Sequence, residues 1–189
     1  MKIGFVGSHG TGKTTLLKEI ESRNLFPDHK IIYSRRLDLA YDLNISQDGY
    51  KEFGFDLGVA ASDSINLFSL MFHAYALKHH EDMISDRCLL DVLAYTKSEY
   101  NKGLIQEATL DFMEKLVFRD VQQYDYLFYL EPEFELEDNG IRPVIDGFQE
   151  EINTIVKEYL YRSRYTFSNL IQITGSVEER LQQIINHTK

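Results

Sequence analysis

At 189 residues the chain is long enough to bury a sizeable core in one domain, and nothing in its length requires a second. Its 30 acidic and 20 basic side chains give a net charge of -10, which argues against the basic surface needed to hold long nucleic acid by phosphate neutralisation. A single cysteine, Cys88, excludes an internal disulfide framework, and the longest apolar runs fall far short of the roughly 18 residues of a membrane span.

The chain opens on a short, continuously apolar run, Lys2 to Val6, of the kind that buried parallel strands show. That run leads into Gly7-Ser8-His9-Gly10-Thr11-Gly12-Lys13-Thr14, which fits GxxxxGKT, and then into a helix-like run from Thr15 to Glu21. Strand, glycine-rich loop and helix in that order form the setting a phosphate-cradling loop requires. The glycines let backbone N-H groups converge on an anion at a helix N-terminus, where unpaired amides and the helix dipole favour negative charge. Lys13 is expected to reach the outer phosphates of ATP and Thr14 to hold Mg2+. Gly7, His9, Gly10, Thr11, Gly12 and Thr15 complete the expected cradle. A strand so close to the N-terminus leaves no room for a signal peptide, so the cytoplasm is the expected compartment.

The second strand is predicted from Lys30 to Tyr33, and it feeds Ser34, Arg35 and Arg36. Two adjacent arginines after a strand end point to the ligand side. Helical pattern follows from Arg36 to Leu43, then a turn-rich stretch from Asn44 to Gly54. From Asp56 to His80 the segment is apolar nearly all round, which predicts a buried helix. Met83 to Ser85 is a short third strand ending in Asp86-Arg87. Leu104 to Phe118 carries Ile105, Ala108, Phe112, Leu116 and Val117 at helical spacing. Tyr126 to Leu130 is a fourth strand, stopped by Glu131-Pro132.

An acidic, irregular stretch precedes Gly140-Ile141-Arg142-Pro143. Phe148, Ile152, Ile155, Val156, Tyr159 and Leu160 then recur at offsets of 4, 7, 8, 11 and 12, which is one helix face. Leu170 to Ile173 is a fifth strand. Ser176 and Glu179 form a capping box for a closing helix marked by Val177, Leu181, Ile184 and Ile185. Strands alternating with helices imply an α/β fold with a parallel sheet, in which ligands bind at the carboxyl ends of the strands.

An aspartate that ends a buried strand beside the loop strand faces the bound Mg2+ and the substrate hydroxyl. Asp86 is therefore expected to orient a metal water, accept a proton, or both. Arg87 presents a planar fork for an anion, and Asp91 and Tyr95 lie one helical turn apart within reach of the same pocket. For the acceptor, Arg35, Arg36, Phe72, Arg87 and Asp91 are the binding candidates, since a ring wants an aromatic face and a phosphate wants arginine.

The phosphate loop, the strand-end DR followed by Asp91, Ala94 and Tyr95, the late Gly140-Ile141-Arg142, and Thr174-Gly175-Ser176 with Glu178, Glu179 and Arg180 together resemble the P-loop nucleoside and nucleotide kinases. The similarity is to small bacterial and phage ATP-binding kinases related to ribosylnicotinamide kinase and resembling thymidylate kinase, and it covers nearly the whole chain. It implies a three-layer fold around a five-stranded parallel sheet of order 2-3-1-4-5, in a single domain spanning residues 1–189. It also implies a lid over roughly 131–147 whose Arg142 closes on the phosphates. Gly175 and Ser176 would border the adenine.

The resemblance implies ATP- and Mg2+-dependent phosphoryl transfer to a small nucleoside, nucleotide or nicotinamide riboside-like acceptor, and it is compatible with a homodimer. Two positions depart from the pattern, both on the acceptor side: Ser34-Arg35-Arg36 stands where an acidic residue is common, and Cys88 where Ser or Thr follows DR. Other P-loop classes fit less well. Neither DxxG nor NKxD follows the loop, which disfavours a GTPase. An ATPase motor needs a longer chain, and a kinase acting on hydroxyls of DNA conflicts with the acidic balance.

Overall fold

The computed structural model describes residues 1–34, 59–133, 147–163 and 169–189. Strands β1 (Lys2–Val6), β2 (Lys30–Ile32), β3 (Met83–Ser85), β4 (Tyr126–Leu130) and β5 (Leu170–Ile173) form one parallel sheet in the order β2-β3-β1-β4-β5. Helices α1 (Lys13–Ser22), α2 (Val59–His79), α3 (Leu89–Asn101), α4 (Glu107–Asp120), α5 (Phe148–Ser163) and α6 (Val177–Thr188) flank it. The strand order is the one the kinase resemblance implies. Four strands keep their predicted bounds, and β2 stops one residue short of Tyr33.

Alternation along the strands divides the interior in two, because successive side chains point to opposite faces. Ile3 and Phe5 of β1, Ile84 of β3 and Phe128 and Leu130 of β4 pack with Leu16, Leu17 and Ile20 of α1 and Leu181 and Ile184 of α6. Val6, Met83, Leu127 and Tyr129 lie in the other cluster, with residues of α2, α3, α4 and α5. The face predicted for α5 is buried at every position from Phe148 to Leu160, each apolar side chain contributing about 1.5–3 kcal/mol before the entropy of ordering it.

Two sequence expectations need correction. The segment ending at His80 forms a helix, but not one buried all round: Phe68, Met71 and Tyr75 are exposed. They recur on the side of α2 that faces away from the core, so apolar composition there does not mean cover. The helix enclosed on nearly every side is α3, which packs against α2, α4 and α5. Helix α4 is also rotated from its expected face. Phe112 and Ala108 point outward, while Leu110, Met113 and Val117 are buried.

The polar groups enclosed with α3 are satisfied by its neighbours. Thr96 Oγ1 donates to Asn66 Oδ1 at 3.1 Å, Asn66 Nδ2 donates to Glu99 Oε2 at 2.7 Å, and Ser98 Oγ donates to Glu151 Oε1 at 2.6 Å. Pairing of this kind removes the cost of burying polar side chains and fixes the register of α2 and α5 on α3.

Candidate active site

The loop between β1 and α1 follows from its glycines. Gly7 lies at φ 153°, and a Cβ there would come within 2.3 Å of the Leu130 carbonyl oxygen, so no larger residue fits between β1 and β4. Gly12, at φ 86°, is the left-handed N-cap of α1 and supplies no side-chain acceptor to the helix N-terminus. No acidic residue occupies the first turn of α1. The first-turn amides and the positive end of the helix dipole therefore remain suited to an incoming anion.

Lys13 is buried, with Nζ donating to Gly7 O at 2.7 Å, Ser8 O at 2.6 Å and Thr11 Oγ1 at 3.1 Å. Its ammonium thus lies inside the curve of the loop. Thr14, exposed at the start of α1, donates its hydroxyl to both oxygens of Asp86, at 3.1 and 3.0 Å. Asp86 is only 6% exposed, and its own N-H donates to Ile32 O at 2.9 Å, which fixes it at the carboxyl end of β3. A hydroxyl and a carboxylate are the hard oxygen donors that Mg2+ accepts, with phosphates and water filling the remaining positions. Thr14 and Asp86 therefore fit the ion, and among the described residues no group of three or more His, Cys, Asp or Glu could hold a metal.

Beside Asp86, the guanidinium of Arg87 stacks 4.8 Å from the centre of the Tyr95 ring. Burial opposes its charge, but Tyr95, Asp91 and Asp86 outweigh that and raise its pKa, so Arg87 is a fixed cation. The Tyr95 hydroxyl meets His9 Nδ1 at 3.2 Å, and the His9 ring packs 5.2 Å from that of Phe148. One cluster thus joins the phosphate loop, the strand-end arginine and the start of α5. Behind it, His73 of α2 is buried, and among the described residues neither ring nitrogen has a hydrogen-bond partner; burial and then the charge of Arg87 push its pKa down to about 3. It is a neutral imidazole.

The predicted residues do not all converge on one site. Lys13, Thr14 and Asp86 come together with the loop, and Arg87 adjoins them through Tyr95. Phe72 sits half-buried on α2, edge-on to His73. Asp91 is fully buried, and its carboxylate is taken up by two backbone amides. Gly175 N donates to Glu133 Oε2 at 3.0 Å, and Ser176 caps α6 in the expected box with Glu179. Arg35, Arg36, Arg142 and nearly all of the predicted lid lie outside the described residues. Cys88, the departure after DR, is a buried thiol whose pKa burial pushes up, so it is not a nucleophile.

Two supports of the loop carry no sequence signal of that role. Arg180, almost wholly buried in α6, donates to Thr11 O at 2.7 Å and pairs with Glu133 at 3.2 Å. Gln149, at the start of α5, donates to His9 O at 2.8 Å. Arg180 stands in the quoted GSxEER stretch, but its spacing from the loop gives no hint of contact.

A family profile described as an AAA domain matches residues 2–180. The chain belongs to this family. No curated protein sequence matches the AAA-domain chain significantly. Among solved structures, deoxyadenosine kinase from M. mycoides with the products dCMP and a flexible dCDP bound superposes with a TM-score of 0.71 at 20% identity, over 100% of this chain and 98% of that one. The same kinase with bound dCTP gives 0.70 at 18% identity, over 100% and 98%. NadR in complex with NAD and AMP-PNP gives 0.67 at 13% identity, over 98% of this chain but 48% of NadR, so the AAA-domain chain spans about half of that protein. The chain shares the fold of these two proteins.

Proposed function

We propose that the chain is an ATP- and Mg2+-dependent kinase that transfers a phosphoryl group to a hydroxyl of a small nucleoside-type acceptor. The observation that carries this reading is the contact between the Thr14 hydroxyl of the phosphate loop and the Asp86 carboxylate at the end of β3, at 3.0–3.1 Å, with Arg87 beside it. A strand-end carboxylate that holds Mg2+ serves hydrolysis and transfer alike, but the Arg87 cation beside it is more than nucleotide and metal require and suits an acceptor. The similar folds of deoxyadenosine kinase and of NadR agree with a nucleoside-type acceptor.

The chemistry follows from charge. The acceptor hydroxyl oxygen attacks the γ-phosphorus of ATP, the bond from that phosphorus to the β-γ bridging oxygen breaks, ADP leaves, and the hydroxyl proton passes to Asp86. Negative charge spreads over the phosphoryl oxygens in flight, so placed cations contribute most of the rate. Lys13 exchanges its loop carbonyls for phosphate oxygens, and Arg142 of the lid is assigned to the same charge. Thr14 and Asp86 would hold Mg2+, which would supply positive charge to the phosphates. Arg87 anchors the acceptor, Arg35 and Arg36 are further candidates to bind it, and Gly175 and Ser176 border the adenine.

A coupled ADP-release screen tests the reading, with nucleosides, nucleoside monophosphates, nicotinamide riboside and hydroxyl-terminated DNA as acceptors. At least one small acceptor should raise ADP release far above the slow reaction with water. Release unchanged by every acceptor contradicts the proposal, and release stimulated by DNA alone moves the activity to polynucleotides.

A further inference from the structure

Asp91 is more deeply enclosed than an acceptor-binding residue should be. It is the third residue of α3 and 0% exposed. Its Oδ2 accepts from the N-H of Cys88, the N-cap of α3, at 3.0 Å. Its Oδ1 accepts from the N-H of Gly7, 84 residues away, at 2.9 Å. Helix capping accounts for the first bond and has no use for the second.

The two amides lie at the inner ends of the two halves of the site. Gly7 is the first residue of the phosphate loop, six before Lys13. Cys88 directly follows Asp86 and Arg87. Of the short side chains, only a carboxylate presents two acceptor oxygens to two separate N-H groups. Asparagine would set an N-H2 against one of them, and serine reaches only one. Burial raises the pKa of Asp91, while Lys13 and Arg87, one cation from each half, and the two amides act in the opposite direction without outweighing it.

We infer that Asp91 is a positioning residue that sets the separation of the phosphate loop from the Asp86-Arg87 strand end by bridging Gly7 N-H and Cys88 N-H. Its effect on turnover rests on the kinase reading above, whereas its effect on the loop does not. In-line transfer is sensitive to such a separation, since a shift of about 1 Å between reacting groups costs on the order of a hundredfold in rate.

The test is Asp91→Glu, with Asp91→Asn beside it. Glutamate is the usual residue at this position of a capping box, so it restores the bond to Cys88 while its extra methylene displaces the second oxygen from Gly7. Asp91→Glu should therefore melt above Asp91→Asn though below the wild type, and it should bind MgATP about tenfold more weakly and turn over about a hundredfold more slowly, with the acceptor KM unchanged. The Gly7 amide proton should move upfield in both variants as it loses a charged acceptor. If Asp91→Glu recovers turnover along with its melting temperature, Asp91 is only a helix cap and the inference fails. If the wild type transfers phosphate to no acceptor, the kinase reading fails by itself. The inference is then judged on MgATP affinity and the Gly7 resonance: both moved in Asp91→Glu sustains it, and either unmoved overturns it.

Discussion

Around the phosphate loop, side chains from three other helices bind backbone atoms. Asp91 accepts from Gly7 N, Gln149 donates to His9 O, and Arg180 donates to Thr11 O. Around Arg87 the described contacts run between side chains instead, with Tyr95 under the guanidinium, His9 on the Tyr95 hydroxyl and His73 neutral behind them. The difference explains what each side can select. Phosphates are alike in every nucleotide and are met by backbone amides, whereas an acceptor is distinguished by side chains that can be exchanged without moving the loop. On the kinase reading, the donor half would thus be general and the acceptor half particular to this chain.

The largest effect should come from the donor side. Lys13→Ala removes the cation inside the loop and should lower phosphoryl transfer by about a thousandfold in an ADP-release assay; a loss under tenfold would mean that the loop's backbone carries the charge unaided. Asp86→Asn lies on the boundary between the halves. It should retain nucleotide affinity by titration with a fluorescent ATP analogue and lose about a hundredfold in turnover, while full-rate turnover would remove Asp86 from the chemistry.

On the acceptor side the effects should be smaller and should appear in KM. Arg87→Lys keeps the charge but loses the planar fork over Tyr95, so the acceptor KM should rise about tenfold with the ATP KM unchanged. Equal changes in both constants would erase the distinction between the halves.

The smallest effect concerns His73 and pH. Its native pKa is lowered to about 3, whereas the unfolded chain takes up the proton near the ordinary 6.5. The unfolded state therefore binds more protons between these values. The stabilisation that neutral His73 gives is complete above pH 6.5 and is lost as pH falls toward 3, by at most about 1.4 kcal/mol per pH unit. Urea unfolding of wild type and His73→Gln should diverge by that slope from pH 6.5 downward. Parallel curves would mean that His73 is not held neutral.

Legibility in the sequence followed the range of the interaction. The strands were legible because short apolar runs bounded by turns suffice to mark them, and α5 because Phe148 to Leu160 carry an unbroken helical period. The phosphate loop was legible because all its chemistry lies within eight neighbouring residues. Helix α2 departs from its sequence pattern because Phe68, Met71 and Tyr75 are apolar but uncovered, and cover is a property of the fold. Helix α3 shows the converse, since its polar residues Asp91, Thr96, Ser98 and Glu99 are buried only because partners from the loop, α2 and α5 enclose them. The supports of the loop were hidden for the same reason: Arg180 and Thr11 meet across 169 residues.

The most direct measurement follows the γ-phosphoryl group itself. In a phosphorus NMR time course with MgATP and the acceptor that stimulates ADP release most, the γ-phosphorus signal should be replaced by a phosphomonoester signal coupled to the acceptor's carbon-bound protons, in step with ADP. Loss of the γ-signal to inorganic phosphate alone, with the acceptor unchanged, would show hydrolysis and contradict a kinase.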